Sequence, residues 1–326
     1  MSKRGASKSL ILAILVIAVV AIGTLYSYQQ GYFSPSYLKV FHAGSLTVPL
    51  DKVGDAFRSE HPNVRFDFES SGSVDAVRKI TDLGKPCDVL AVADWRLIPK
   101  LMYDEYANWT IIFASNEMVI AYTDQSKYAG EIDSSNWYRV LARDGVVIGR
   151  SDPDRDPCGY RTLMLFQLAS IYYGDPSINE TLWNHADTVI KPKSVQLLTG
   201  LESGQIDYAF EYKSVAVQHH LNYVELPDEL NLGDPDLEPY YAKVSVSVHK
   251  GDETIEIKGA PILYGLTIPK DAENRDLAIE FVKFLLSGEG RELVESCGQN
   301  VIYPAYVDRP SSVPKELLGF VRPMGG

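Results

Sequence analysis

A chain of 326 residues with 45% hydrophobic content can build two lobes of ordinary size around packed cores, which excludes a largely disordered protein. Its formal net charge of -12, with no basic stripe, excludes a nucleic-acid binder but leaves room for a small anion held by local donors. Three cysteines, Cys87, Cys158 and Cys297, make neither a disulfide framework nor a metal-ligand cluster and allow one pair at most.

Lys3, Arg4 and Lys8 precede an apolar run from Leu10 to Leu25. A basic flank followed by such a run is a targeting pattern. As a helix the run reaches roughly 24 Å, short for a full span but adequate for a signal core or a tilted anchor. Positive residues keep their side cytoplasmic, so the body is expected outside the membrane, exported or held at its outer face. Residues 1–36 are therefore assigned to a signal or anchor segment and its linker. No Cys follows the run to carry a lipid.

The body opens with a short strand pattern, Leu38 to Phe41, a turn at His42 to Ser45, and a helix from Leu46 to Ser59 with Ser45 as its expected N-cap. A second unit repeats the plan: Val64 to Glu69 as strand, Ser70 to Ser73 as turn, and a helix marked by Val74, Val77 and Ile80. Asp88 to Val92 is a continuous apolar run, the signature of a buried parallel strand. This rhythm predicts a doubly wound α/β lobe whose ligand site lies at the carboxyl ends of the strands, where Ser45 and Ser73 fall.

Glu117 to Tyr122 reads as a strand bridging into a second lobe, and Val146 to Gly149 as one that delivers the stretch Ser151-Asp-Pro-Asp-Arg-Asp-Pro-Cys-Gly-Tyr160. That stretch is an Asp-rich turn running into an apolar helix; its carboxylates suit caps and the helix dipole. Helix N-termini also seat anions. Leu197 to Gly204 predicts a helix, Ile206 to Phe210 a strand ending at Glu211, and Tyr240 to Val248 an alternating strand. Ile262 to Ile268 predicts a second bridge, followed by helices over Leu277 to Leu286 and Glu289 to Cys297. The two bridges divide the body into lobe 1, residues 37–118 plus 263–326, and lobe 2, residues 119–262, with a hinged cleft between them. Asn108-Trp-Thr and Asn179-Glu-Thr fit the glycosylation acceptor pattern.

Six segments in order resemble the archaeal molybdate/tungstate-binding proteins: Phe41-His-Ala-Gly-Ser-Leu-Thr47, Ser71-Gly-Ser-Val-Asp-Ala-Val-Arg78, Cys87-Asp-Val-Leu-Ala-Val-Ala-Asp94, Asp156-Pro-Cys-Gly-Tyr-Arg161, Phe210-Glu-Tyr-Lys-Ser-Val215 and Gly265-Leu-Thr-Ile-Pro269. The resemblance runs from about Leu38 to Pro304. It implies a type II periplasmic-binding-protein fold of two doubly wound α/β lobes joined by two hinge strands. It implies an extracytoplasmic, monomeric receptor that binds tungstate or molybdate, needs no cofactor, and serves a membrane permease paired with a cytoplasmic ATPase. Carried over by residue, Gly44, Ser45 and Ser73 become donors to the oxyanion. Asp156, Pro157 and Cys158 form the turn of the second lobe, Glu211 ends its strand, and Tyr241, with Tyr240 as rival, closes the site.

Hydroxyls and amide N–H groups suit an oxyanion, whereas a carboxylate about 4 Å from a dianion is repelled by roughly 8 kcal/mol at an effective dielectric near 20. Either the carboxyl is protonated and donates, or its oxygen binds the metal centre, since tungsten(VI) and molybdenum(VI) are hard and accept oxygen ligands. The resemblance implies the second answer, with Asp156 and Glu211 completing six-coordination. Taken alone, Ser45 reads as a cap, Asp152 and Asp154 as solvated turn residues, Glu211 as a surface acid, His42 as a packed histidine and Cys158 as structural. A ferric site on the Tyr240–Tyr241 doublet and Glu211, or a plain sulfate or phosphate site, are the competing binding readings. An enzyme built on Ser45, His42 and an aspartate is the weaker alternative, because no nucleophile elbow, His-Glu-x-x-His or phosphate loop is present.

Overall fold

The computed structural model describes residues 13–19, 35–250 and 253–324. The first sheet begins with β1 (Ser36–Ala43), α1 (Thr47–Glu60), β2 (Val64–Ser71), α2 (Ser73–Thr81), β3 (Val89–Val92) and β4 (Ile111–Asn116). One residue later the chain enters a second sheet with β5 (Met118–Tyr122), β6 (Ile148–Ser151), α3 (Pro157–Tyr173), β7 (Thr188–Lys191), β8 (Tyr208–Tyr212) and β9 (Asn222–Val224). A hairpin, β10 (Ser245–Lys250) and β11 (Glu253–Lys258), follows. The chain then returns through β12 (Ile262–Thr267), α4 (Arg275–Leu285), α5 (Gly288–Glu295), β13 (Asn300–Val307) and β14 (Val321–Pro323). The sheet orders are β14-β13-β4-β12-β3-β1-β2 and β7-β6-β8-β5-β9. In each, a parallel portion carries the crossovers and an antiparallel strand closes against it. The molecule is thus two-lobed α/β.

Strand periodicity sorts the apolar side chains onto two faces, as a pleat requires. Leu38 and Val40 of β1 pack with Leu50, Val53 and Phe57 of α1 and Phe281 of α4. Their neighbour Phe41 points the other way, joining Leu90 and Val92 of β3 and Ala76, Val77 and Ile80 of α2. The second sheet repeats this: Met118, Ile120 and Phe210 meet Phe166 of α3, while Val119, Ala121 and Ala209 meet Leu197 and Leu201. Helices on both faces are why these strands read as unbroken apolar runs rather than alternating ones. Burying each such side chain contributes roughly 1.5–3 kcal/mol.

Asn116, fully buried at the first crossing, joins both connecting strands. Its Nδ2 donates to Ser214 Oγ at 2.8 Å and to Tyr264 Oη of β12 at 2.9 Å, while Oδ1 accepts from Glu117 N at 2.9 Å. One amide therefore ties the outgoing strand, the returning strand and the second lobe.

Three expectations need correction. Tyr240 to Val248 is not one strand: Glu238–Tyr241 is a short helix, favoured by Pro239 in its first turn, and β10 starts only at Ser245. β8 starts at Tyr208 rather than Ile206, because Asp207 is held in the approach to it, accepting from Lys127 N and Val147 N. β8 also runs on to Tyr212, so Glu211 lies inside the strand. Ser45 caps no helix; it sits in a 3-10 turn, Gly44–Leu46, and the residue preceding α1 is Leu46. The expected targeting segment falls outside the described residues except for 13–19, which are helical and exposed, and 35–36. Among the described residues no helix is long and apolar enough to cross a membrane. All three cysteines are buried free thiols.

Candidate functional site

The parallel strands deliver their carboxyl ends to one region. Beyond β1 the chain makes the Gly44–Leu46 turn, where Thr47 Oγ1 donates to Gly44 O at 2.8 Å and can accept from Ser70 Oγ at 3.2 Å. Register places Ala43 opposite Ser71, so the first and second turns are neighbours. Ser45 is half-buried and its hydroxyl makes no hydrogen bond among the described residues. Ser73, the first residue of α2, accepts from Ala93 N at 3.0 Å, which joins the second turn to the end of β3. His42 is buried, with Nδ1 2.9 Å from Ala43 O, and burial lowers its pKa; it is a packed, neutral ring.

In the second lobe Asp156 is the N-cap of α3, with Pro157 in the first turn. Its Oδ1 accepts from Cys158 N at 3.0 Å and its Oδ2 from Ser194 N at 2.6 Å. The amide of Cys158, a member of the expected second-lobe turn, is thus bound to Asp156. Asp154 is not simply solvated, since it accepts from His249 N at 2.6 Å and so pins the β10–β11 hairpin to the Asp-rich turn. Cys158 is fully buried; burial raises its thiol pKa well above the ordinary value, with Glu211 and Asp156 adding to the effect, so it remains a protonated structural thiol.

Glu211 is fully buried. Burial raises its pKa to about 8; the Tyr212 N–H and Ser194 oppose the shift, and Asp156 adds to it. Glu211 Oε2 accepts from Tyr212 N at 3.2 Å, whereas Oε1 has no partner. It is not the only buried polar atom left so. Ser71 Oγ at the end of β2, Trp95 Nε1 just beyond β3 and Ser151 Oγ at the end of β6 are also without partners. Each such atom costs about 1–3 kcal/mol unless a group from outside the chain satisfies it.

A cavity of about 550 Å³ is lined on one side by Gly72, Ser73, Ala93 and Asp94, the chain neighbours of Ser71 and Trp95 among them, and on the other by Asp156, Pro157, Tyr160 and Arg161. A smaller cavity of about 330 Å³ adjoins it, bordered by Arg96 and Glu238 of opposite lobes, paired at 2.6 Å. Of the residues singled out by sequence, Ser73, Asp156 and Pro157 line the larger cavity. Glu211 and Cys158 do not line it; Cys158 N donates to Asp156, and Ser194, whose N–H also donates to Asp156, lowers the Glu211 pKa. Gly44 and Ser45 are at the adjacent turn and do not line it. Tyr241 is a correction: it is buried in the apolar core, and its hydroxyl donates to Asp228 O at 2.5 Å and accepts from Asp234 N at 3.2 Å. Tyr240 packs against the same core. The Tyr241 hydroxyl is therefore committed inside the core, and the ferric reading loses that phenolate.

Sequence reasoning missed Trp95, Ser151, Ser194 and Arg161. Ser151 opens the Asp-rich stretch, Arg161 ends a recognised segment and Trp95 follows another, so proximity could have flagged them. Nothing in spacing marks Ser194, which arrives from a 3-10 turn about forty residues beyond Asp156. Gly159 is needed for close approach, because a Cβ there would sit 2.5 Å from Ser151 O and 2.7 Å from Pro153 N. Gly159→Ala is expected to push the Asp-rich turn away from α3, lowering stability by about 1–3 kcal/mol. Ligand affinity should fall with it; unchanged melting and titration curves would show that the contact is relieved elsewhere.

A profile described as bacterial extracellular solute-binding protein matches residues 38–299. An uncharacterized solute-binding protein of Methanoculleus marisnigri is 48% identical over 292 residues, covering 82% of each chain. The molybdate/tungstate-binding protein WtpA of Pyrococcus abyssi is 44% identical over 312 residues, covering 87% of this chain and 89% of that one. Among solved structures, the periplasmic molybdate-binding protein of Azotobacter vinelandii superposes with a TM-score of 0.55 over 80% of this chain and 98% of its own, at 18% identity. That likeness concerns the fold.

Proposed function

Because the chain belongs to the bacterial extracellular solute-binding protein family, a family of extracytoplasmic transport receptors and not of enzymes, we propose that it captures tungstate or molybdate and delivers it to the permease of an ATP-driven importer. The relatives named for these two anions support the choice of ligand. The choice of place is carried by the cavity that Gly72, Ser73, Ala93 and Asp94 line together with Asp156, Pro157, Tyr160 and Arg161, and it is supported by partnerless buried atoms next in sequence to its lining, Ser71 Oγ and Trp95 Nε1. Hydroxyl and indole hydrogens suit the four oxygens of a tetrahedral anion.

In this reading lobe 1 (residues 37–118 plus 263–326) and lobe 2 (residues 119–262) close on the anion, hinged at the crossings that Asn116 ties together. Ser73 and the Gly44–Ser45 turn donate from the first lobe. Asp156 and Glu211 bring one oxygen each to the metal centre, raising it to six-coordination. Both carboxyls keep lone pairs for this, since no oxygen of either accepts more than one N–H group. Sulfate, whose sulfur does not expand its coordination in this way, would meet uncompensated acids, which gives discrimination. The closed monomer docks on a permease driven by a cytoplasmic ATPase, and the N-terminal segment keeps it near the membrane surface. No resident cofactor is invoked.

Calorimetric titration of the purified body with tungstate, molybdate, sulfate, phosphate and ferric citrate tests this. Tungstate or molybdate is expected to bind at least about 100-fold more tightly than sulfate, a difference of roughly 2.7 kcal/mol. Equal heats for sulfate, or none for either metal oxyanion, would overturn the reading.

A further inference from the structure

We propose that Arg161 supplies the fixed positive charge that lets a dianion sit beside Asp156 and Glu211, and so sets the affinity of the site; this rests on the oxyanion reading above. Arg161 lies three residues after Cys158 on α3, one helical turn further on the same side. It borders both the larger and the smaller cavity. The guanidinium is held, not loose. Nη1 donates to Tyr212 Oη at 2.5 Å, and the rings of Tyr160 and Tyr212 each lie 5.6 Å away in cation–π contact.

Tyr212 also donates its backbone N–H to Glu211 Oε2, so one residue positions the cation and the buried acid relative to each other. Beyond the effect of burial, Glu211 and Asp156 raise the Cys158 thiol pKa and Arg161 lowers it, so the two acids and the cation act on the same buried atom. Among the described residues Arg161 is in no ion pair. The other cations around these cavities are less suited. Arg96 is committed to Glu238, and Lys100, Arg155 and Lys258 are exposed. A guanidinium stays charged at any working pH, so its contribution does not depend on a proton. With one or two acids beside the anion, net attraction requires a cation of this kind that is poorly screened.

The test compares wild type, Arg161→Gln and Arg161→Lys by tungstate calorimetry at low and high ionic strength, with melting curves of the ligand-free proteins. Arg161→Gln is expected to lose at least about tenfold in affinity and to show a shallower salt dependence. Arg161→Lys, which keeps the charge, should recover most of the loss. Arg161→Gln within twofold of wild type would overturn the proposal. So would Arg161→Lys losing as much as Arg161→Gln, since charge would then not be what matters. Wild type that binds neither tungstate nor molybdate would instead sink the functional reading beneath it, and the proposal with it.

Discussion

Replacing Glu211 with glutamine is expected to weaken tungstate binding by at least about 100-fold while leaving the ligand-free fold intact. Glutamine has the same shape and can accept from Tyr212 N through its carbonyl oxygen, so the strand end keeps its hydrogen bond. What it loses is an oxygen that can become anionic toward a hard metal centre. Asp156→Ala should lower affinity comparably, but it also strips the cap from α3 and the acceptor from Ser194 N, which costs about 0.5–2 kcal/mol of stability. The Glu211 variant is therefore the cleaner arm. Isothermal titration of both decides the matter: tungstate affinity within threefold of wild type in each would mean that neither acid reaches the metal.

The same residue should govern the acid–base behaviour of the unliganded protein. Glu211 titrates at about 8 when folded, against an ordinary value of 4.5, chiefly because it is buried. Between those values the folded chain holds a proton that the unfolded chain has released. Stability must then fall as pH rises through that window, by up to about 1.4 kcal/mol per unit, and level off above pH 8. Glu211→Gln removes this term. Its melting temperature should match wild type near pH 4.5 and exceed it increasingly towards pH 8. A constant difference across the range would show that Glu211 ionises normally.

Much of the architecture was legible because apolar spacing and turn residues act locally. The runs around Val89–Val92 and Ile262–Thr267 announce buried strands, and the turns at Gly44 and Gly72 announce strand ends. Asp156 could be read as a cap and as a site residue, and it is the N-cap of α3 beside the cavity. Tyr241 could not be placed, because alternation in Tyr240 to Val248 imitated a strand while Pro239 favoured a helical turn. Its hydroxyl then found Asp228 and Asp234, partners that no spacing rule reveals. Ser194 and Trp95 escaped for a related reason: their roles arise from tertiary proximity, which leaves no periodic trace in the chain.

The order β14-β13-β4-β12-β3-β1-β2 sets a timetable for folding. β3 and β4 are early in the chain, yet they never touch; β12 wedges between them and pairs with both. Until residues 262–267 emerge, β4 has neither of its partners, β12 and β13, and stands apart from β3-β1-β2, whereas every strand of the second sheet is already available. A chain threaded through a membrane from its N-terminus should accordingly assemble the later lobe first and close the earlier one around it. Pulse-labelled amide exchange during refolding would register this as protection of β6 and β8 ahead of β3 and β4, and the reverse sequence would refute it.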